Sequence, residues 1–321
     1  MNPQAATQTI YRRVIGLRRR SRRSAWSGVA LLGLFLLPPP AGAQFRPVEK
    51  GQLPAIDRPQ QEAILDSICA VMDTMYVLRD VAARTTAQWK KELKRGAYRP
   101  LTDPVEFVAR LQSDADAVYV NKHFGMVVSW PFDAAMEGPK EVDPRESERA
   151  LRAMRRSNFG FRKLEILPGA IGYLRLDQFP STEQAADVAI GAMNFLGGAE
   201  AVIFDLRSNG GGDPSMIRLL TTYLFKEQQH LIDWYVRDLD ETVQSWTLDY
   251  VPGRRLTEIP VYVLTSDRTA SAAEEFTFDL QHLKRATIVG DTTAGAGHTI
   301  NTLFIHFDTF RVGMRVPYGN A

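Results

Sequence analysis

The 321-residue chain contains a single cysteine, Cys69. With one thiol, no intrachain disulfide can form and no cysteine-based metal cluster can be built. Cys69 sits within an apolar helical pattern and reads as a small buried hydrophobe. The common metal and nucleotide signatures are missing too. There is no H-E-x-x-H, no EF-hand loop and no G-x-G-x-x-G, and the one run of three glycines is not followed by the lysine of a phosphate-binding loop. These patterns lead to an expectation of no cofactor and no metal. Histidines number five, which leaves few candidates for a general base. The chain has no internal repeat and no low-complexity tract.

Acidic residues are absent from the first 43 positions, which hold seven arginines, an apolar run from Val29 to Leu37, three prolines and then Ala41-Gly42-Ala43. A basic region, a short apolar core and an A-x-A site together read as a secretory signal peptide over 1–43. The apolar run is too short to span a bilayer comfortably. The expectation is therefore an exported protein, periplasmic or extracellular, with no stable membrane insertion once the signal is cleaved. The whole chain carries 39 basic and 37 acidic residues, and without the seven arginines of 1–43 it carries 32 against 37, a net charge of −5. The basic balance of the full sequence thus belongs to the signal and gives no support for nucleic-acid binding.

What remains has an ordinary globular balance, with 45% hydrophobic and 24% charged residues. Residues 44–60 are rich in Pro and Gln and read as a linker. Ile64, Leu65, Ile68, Val71, Met72 and Met75 recur at spacings of three and four, the pattern of an amphipathic helix. A second helix is expected over Thr86 to Arg95. A third follows Thr102-Asp103-Pro104, an N-cap followed by proline in the first turn. Residues 61–130 are thus expected to form a small helical domain. Residues 131–158, charged and carrying Pro131, Pro139 and Pro144, read as a connection, with Glu146 to Arg156 as an exposed helix. From 159 onward, short β-rich runs (171–176, 201–206, 261–265, 286–290 and 303–307) alternate with helical patterns at 183–196, 214–226 and 271–284. That alternation predicts a mixed α/β core with helices packed on sheets.

Two segments of this core could carry chemistry. The run AVIFDLRSNGGGDPSMIRLL (201–220) is a strand that ends in Asp205-Leu206-Arg207, followed by Gly210, Gly211 and Gly212 and then by Asp213-Pro214, a helix start. Three glycines permit positive φ and close approach of a ligand, and amides at such a turn can face negative charge. The other segment is SDRTASAAEEF (266–276), where Ser271 and Glu274 spell a capping box at the start of a helix. A serine there lies in the positive potential of the helix N-terminus, beside the N–H of Ala272. A nucleophile at that place, together with a glycine-turn amide, would form an oxyanion hole. A serine nucleophile needs a base. His123, which follows Asn121-Lys122, and His298, in the turn Ala294-Gly295-Ala296-Gly297-His298, are the two candidates, and spacing alone leaves both open.

The segment D-L-R-S-N-G-G-G at 205–212 resembles the signature of the C-terminal processing peptidase and tricorn protease core family. T-S-x-x-T-x-S-A-A-E-E-F at 265–276 resembles its nucleophile segment, and K-R-A-T-I-V-G-D-T-T-A-G at 284–295 resembles the segment after it. The three stand in the family's order, and the resemblance covers roughly 62–321. It implies a crotonase/ClpP-like mixed α/β core preceded by a small helical N-terminal domain, with no room for a PDZ domain. It implies Ser271 as nucleophile, with oxyanion amides from Ala272 and from one of Gly210, Gly211 and Gly212; Gly211 is favoured. Processing peptidases of the family use a lysine base in a G-K-G-like turn. That position is Ala296 here, so the resemblance points instead to the tricorn-like branch, which includes retinoid-binding relatives of the eye and takes its histidine base from the N-terminal domain. His123 matches that place and ranks above His298.

Two departures stand out. Lys122 occupies a position that is serine in the tricorn-like branch. The acid that orients the histidine is expected beyond Ala321, which suggests a core shortened at its C-terminus; Glu274, Glu275 and Asp213 are the substitutes within the chain. The implied function is an exported serine peptidase acting on peptide or protein substrates, with homo-oligomers as a further expectation. The alternative is a catalytically weak or inactive protein that binds a lipid or peptide on the same fold, and a weaker third reading is a crotonase-type acyl-transfer enzyme.

Overall fold

The structure is a computed structural model that describes residues 48–130, 144–237 and 239–320. The signal peptide and the first residues of the linker, and much of the 131–158 connection, lie outside those residues. Three helices come first among the described residues, α1 (Arg58–Met75), α2 (Arg79–Arg95) and α3 (Pro104–Val118). Helix α1 begins with a complete capping box, Asp57 and Gln60 each accepting the other's backbone N–H at 2.9 and 2.8 Å. Helix α3 begins at the expected signal, with Asp103 accepting from Val105 N–H at 2.7 Å. Helix α2 starts at Arg79, well before the expected Thr86. Its N-cap is Leu78, which has no side-chain cap, so the sequence carries no start signal there. Its end at Gly96, with φ 77°, is the usual left-handed stop.

Strand β1 (Gly125–Ser129) and helix α4 (Pro144–Arg156) follow. The core then alternates β2 (Phe161–Leu167), β3 (Ile171–Leu176), α5 (Thr182–Phe195), β4 (Ala201–Asp205), α6 (Pro214–Thr222), β5 (His230–Val236), β6 (Glu241–Trp246), β7 (Val261–Thr265), α7 (Ala272–His282), β8 (Thr287–Gly290), β9 (His298–His306) and β10 (Arg311–Asn320). Among the described residues no helix is long and apolar enough to cross a membrane.

The strands form two sheets. In one, the order is β2-β3-β4-β7-β8, with β2 antiparallel to β3 and the pairs β3–β4, β4–β7 and β7–β8 parallel. Parallel neighbours need crossovers, and helices α5 and α7 supply two of them over the sheet. The inward faces of β3, β4 and β7 bury Leu174, Val202, Phe204 and Val263 against Ala189, Ile217, Leu220 and Phe276 of α5, α6 and α7. In the other sheet, β10 is antiparallel to β1 and to β9 and touches β5 at its end. There Val312, Met314 and Val316 of β10 pack with Leu65, Trp89, Phe107 and Phe124 in a second core that contains all three opening helices. The mixed α/β class read from the sequence is the class of the structure.

Candidate active site

Strands β4 and β7 are adjacent and parallel, so the glycine turn and the Ser271 segment leave the sheet side by side at its C-terminal edge. This is the edge at which open α/β sheets place their ligands. Backbone and side-chain bonds zip the two loops together. Thr269 Oγ1 donates to the Leu206 carbonyl at 2.9 Å, Ala270 N–H to that of Asn209 at 3.0 Å, and Ser266 Oγ to that of Arg207 at 2.7 Å. Asn209 is fully buried and braces the glycine turn from within, its amide donating to Leu176 O at 2.9 Å and its Oδ1 accepting from Gly211 N–H at 2.8 Å. At the end of β4, Arg207 forks onto Asp205 at 2.9 and 2.7 Å and Tyr173 donates to the same carboxylate at 2.6 Å. Burial alone would raise the Asp205 carboxyl, but the bonds from Arg207 and Tyr173 outweigh it and hold it at about 2. The glycine turn therefore starts from a rigid, charged anchor.

Ser271 has φ 55° and ψ −123°, a conformation that costs a non-glycine residue about 1–3 kcal/mol and is tolerated only where its surroundings enforce it. Its close neighbour is Gly211. A Cβ on Gly211 would lie 2.7 Å from Ser271 Cβ and from Ala270 O, and 3.0 Å from the nitrogen of Ala272. Only glycine fits, because the turn's backbone rests directly on the serine. The amide of Gly211, the favoured oxyanion donor, is bonded in this structure to Asn209 Oδ1. The residue's contribution here is close approach. Ala272, first residue of α7, has its nitrogen at that same contact.

The Glu274 half of the capping box is present, with Ser271 N–H donating to Glu274 Oε2 at 2.8 Å. The carboxylate does more than cap. Oε2 also accepts from Ala296 N–H at 2.8 Å, while Oε1 accepts from Gly295 N–H at 2.6 Å and from Thr293 Oγ1 at 2.7 Å. One side chain thus ties the serine backbone to the loop that precedes β9. That loop is also fixed by Ala294 N–H to Thr269 O at 2.9 Å.

His123 lies in the turn before β1 and is half-buried. Asn121 shapes that turn, accepting His123 N–H at 2.9 Å and donating to the Tyr76 hydroxyl at 3.2 Å. His123 Nδ1 lies 2.6 Å from the backbone carbonyl of His298. A carbonyl only accepts, so Nδ1 carries the proton and Nε2 is left with its lone pair, the tautomer a base requires. Burial lowers its pKa and Arg315 acts in the same direction, while the His298 carbonyl and Glu274 oppose them; the balance is a lowered value, so the ring is neutral at pH 7. His298 meets His123 through its backbone. Its own Nδ1 is buried without a partner, and its pKa is lowered by burial and by the neighbouring His123.

The other suggested carboxylates lie elsewhere. Asp213 caps α6 through Ser215 N–H at 2.8 Å. Glu275 is buried and faces Trp234 of β5. The role of the His298 carbonyl had no signal in the sequence, because a backbone oxygen leaves none.

Taken together, these features define an α/β core that presents a strained serine at a helix N-terminus, against a glycine turn and a loop that holds a histidine. Residues 170–314, a little under half of the chain, match the description Peptidase family S41. Two curated relatives are carboxyl-terminal-processing proteases of cyanobacteria. The one from Picosynechococcus sp. is 33% identical over 136 residues, which is 42% of this chain and 31% of the relative. The one from Synechocystis sp. is 36% identical over 140 residues, 43% of this chain and 31% of the relative. The matched stretch therefore spans about a third of each relative's length. Among solved structures, a protein from Parabacteroides merdae described as a candidate peptidase shares the fold, with a TM-score of 0.54 and 17% identity over 82% of this chain and 84% of that one.

Proposed function

We propose that this chain is an exported serine peptidase in which Ser271 attacks a peptide carbonyl. The observation that carries the proposal is the Glu274 carboxylate, which holds the backbone of Ser271 and the loop whose His298 carbonyl orients His123. His123 Nε2 takes the serine proton and returns it to the leaving amine. The tetrahedral oxyanion is met by the Ala272 amide at the positive end of α7 and by an amide of Gly210 or Gly212, since that of Gly211 is engaged. The S41 match and the two processing-protease relatives support a peptide or protein substrate. Export rests on the 1–43 segment, and the division into a helical 61–130 domain and a 159–321 core is part of the same reading.

A fluorophosphonate tests this directly. The wild-type chain is expected to be labelled at Ser271, with labelling lost in Ser271→Ala and reduced at least ~100-fold in His123→Ala, as for removal of a general base. An unlabelled wild-type protein, or peptide cleavage that survives Ser271→Ala, sinks the proposal. The lowered His123 pKa places the acidic limb of the labelling profile below the ordinary imidazole value of about 6.5.

One observation favours a second reading, a weakly active protein that binds peptide or lipid in the same cleft. The partner of His123 Nδ1 is a neutral carbonyl, which stabilises an imidazolium less than a carboxylate does. Ligand binding that persists in Ser271→Ala and His123→Ala, with no hydrolysis by the wild type, identifies that case.

A further inference from the structure

The Asn121-Lys122-His123 turn reaches the 291–298 loop at two points. Besides the His123 bond to His298, Lys122 Nζ donates to the Ala294 carbonyl at 2.5 Å. The turn and the loop belong to strands that do not pair with each other, because β10 lies between β1 and β9. Their shared partner β10 places the two strands in one sheet, but no ladder joins the histidine turn directly to the loop that Glu274 anchors beside Ser271. Direct contact between turn and loop is made by two side chains, Lys122 and His123. A single hydrogen bond leaves an imidazole free to swing about it, whereas a second bond from the adjacent residue fixes the orientation of the turn.

We propose that Lys122 is a positioning residue, a latch that docks the histidine turn onto the 291–298 loop and so aims His123 at Ser271. This rests on the reading of Ser271 and His123 given above. The ammonium spends one of its three N–H donors on the Ala294 carbonyl. Asn121, buried beneath the turn, keeps the latch and the histidine in register. The groups facing His123 are Arg315 of β10, Glu274 of α7 and His298 of β9.

The test compares Lys122→Met, which keeps most of the aliphatic stem and removes the donor, with Lys122→Arg, which keeps a donor. In Lys122→Met, the rate of fluorophosphonate labelling of Ser271 is expected to fall about 10- to 100-fold, the range for losing one charged hydrogen bond that orients a catalytic group. The histidine turn then opens to water, so the His123 titration followed by NMR moves upward toward the free imidazole value. Lys122→Arg restores both. A wild-type labelling rate and an unchanged His123 titration in Lys122→Met overturn the proposal. Equal loss of labelling in the Met and Arg variants with the His123 titration unmoved also overturns it, because that pattern makes Lys122 the base. The NMR titration judges the latch without reference to activity. Failure of wild-type protein to label at Ser271 instead strikes the underlying reading of the site.

Discussion

At the scale of single residues, the site is built on a strained serine. Ser271 stands at positive φ, and Gly211 lies against it so closely that a Cβ there would meet the serine's own Cβ. The strain should be measurable. Both Ser271→Ala and Ser271→Gly remove the proposed nucleophile, but only glycine takes φ 55° without a Cβ clash. Ser271→Gly is therefore expected to be more stable than Ser271→Ala by about 1 kcal/mol in urea denaturation, the order of cost for such a conformation. Equal stability of the two would show that the conformation is unstrained. Glu274 offers a second test at this scale. Its two oxygens receive four donors, two each. In Glu274→Gln one oxygen becomes an amide nitrogen that faces two donors. Ser271 labelling is expected to slow about 10–100-fold, since two charge-assisted bonds are lost in a group that aligns nucleophile and base. A fall below two-fold would reduce Glu274 to a helix cap.

At the scale of elements, helix α7 contains a feature unrelated to the nucleophile at its start. Glu275 and Asp279 stand one turn apart, both buried, with Glu275 Oε1 and both oxygens of Asp279 lacking hydrogen-bond partners. Burial pushes Asp279 up to about 8, with Glu275 adding repulsion, and pushes Glu275 up to about 7 against an opposing bond from Trp234. The folded state therefore keeps protons that the unfolded chain loses near pH 4, and stability falls as pH rises from about 4 to about 8. In Asp279→Asn the charge cannot form. That variant is expected to match wild type near pH 4 and to exceed it by about 1–3 kcal/mol at pH 8, the cost of an unsatisfied buried group. Urea titrations at the two pH values decide it, and parallel pH profiles for both proteins would remove the buried pair as the cause.

Element boundaries also show how far the sequence could be read. Helices α1, α3, α5 and α7 and strands β3, β4 and β7 follow from periodicity and capping residues, because a local pattern sets each of them. Helix α2 begins early because Leu78 provides no cap signal. Strand β10 was not legible: Gly313, Pro317 and Gly319 interrupt its pattern, and its ladder shifts register between Pro317 and Gly319. Its stability comes from partners distant in the sequence, β1, β9 and β5, which no local window contains. The candidate site divides along the same line. Ser271 and the glycines are marked by residue type and local turn chemistry. Asn209 as a brace, the Lys122 contact with Ala294 and the His298 carbonyl depend on three-dimensional neighbours.

At the scale of the whole molecule, the proposed nucleophile and base belong to different hydrophobic cores. Ser271 and its glycine turn rest on the β3–β4–β7 core, whereas the histidine turn is bounded by Tyr76, Phe124 and Val128 of the helical core. Activity then requires both cores, and the helical one can be weakened from a distance. Trp89 is fully buried between helices, its indole N–H donating to Leu111 O at 2.9 Å. Trp89→Ala should cost about 3–5 kcal/mol through lost burial and the cavity it leaves. It touches nothing near Ser271. In urea, fluorophosphonate labelling of the wild type is expected to vanish while amide hydrogen exchange still reports protection in the β2-β3-β4-β7-β8 sheet. Trp89→Ala should move that loss to lower urea and leave the transition of the sheet where it was. If labelling instead persists in Trp89→Ala until the sheet itself unfolds, the base is supplied from within the 159–321 core, and His298, at the start of β9, becomes the residue to mutate next.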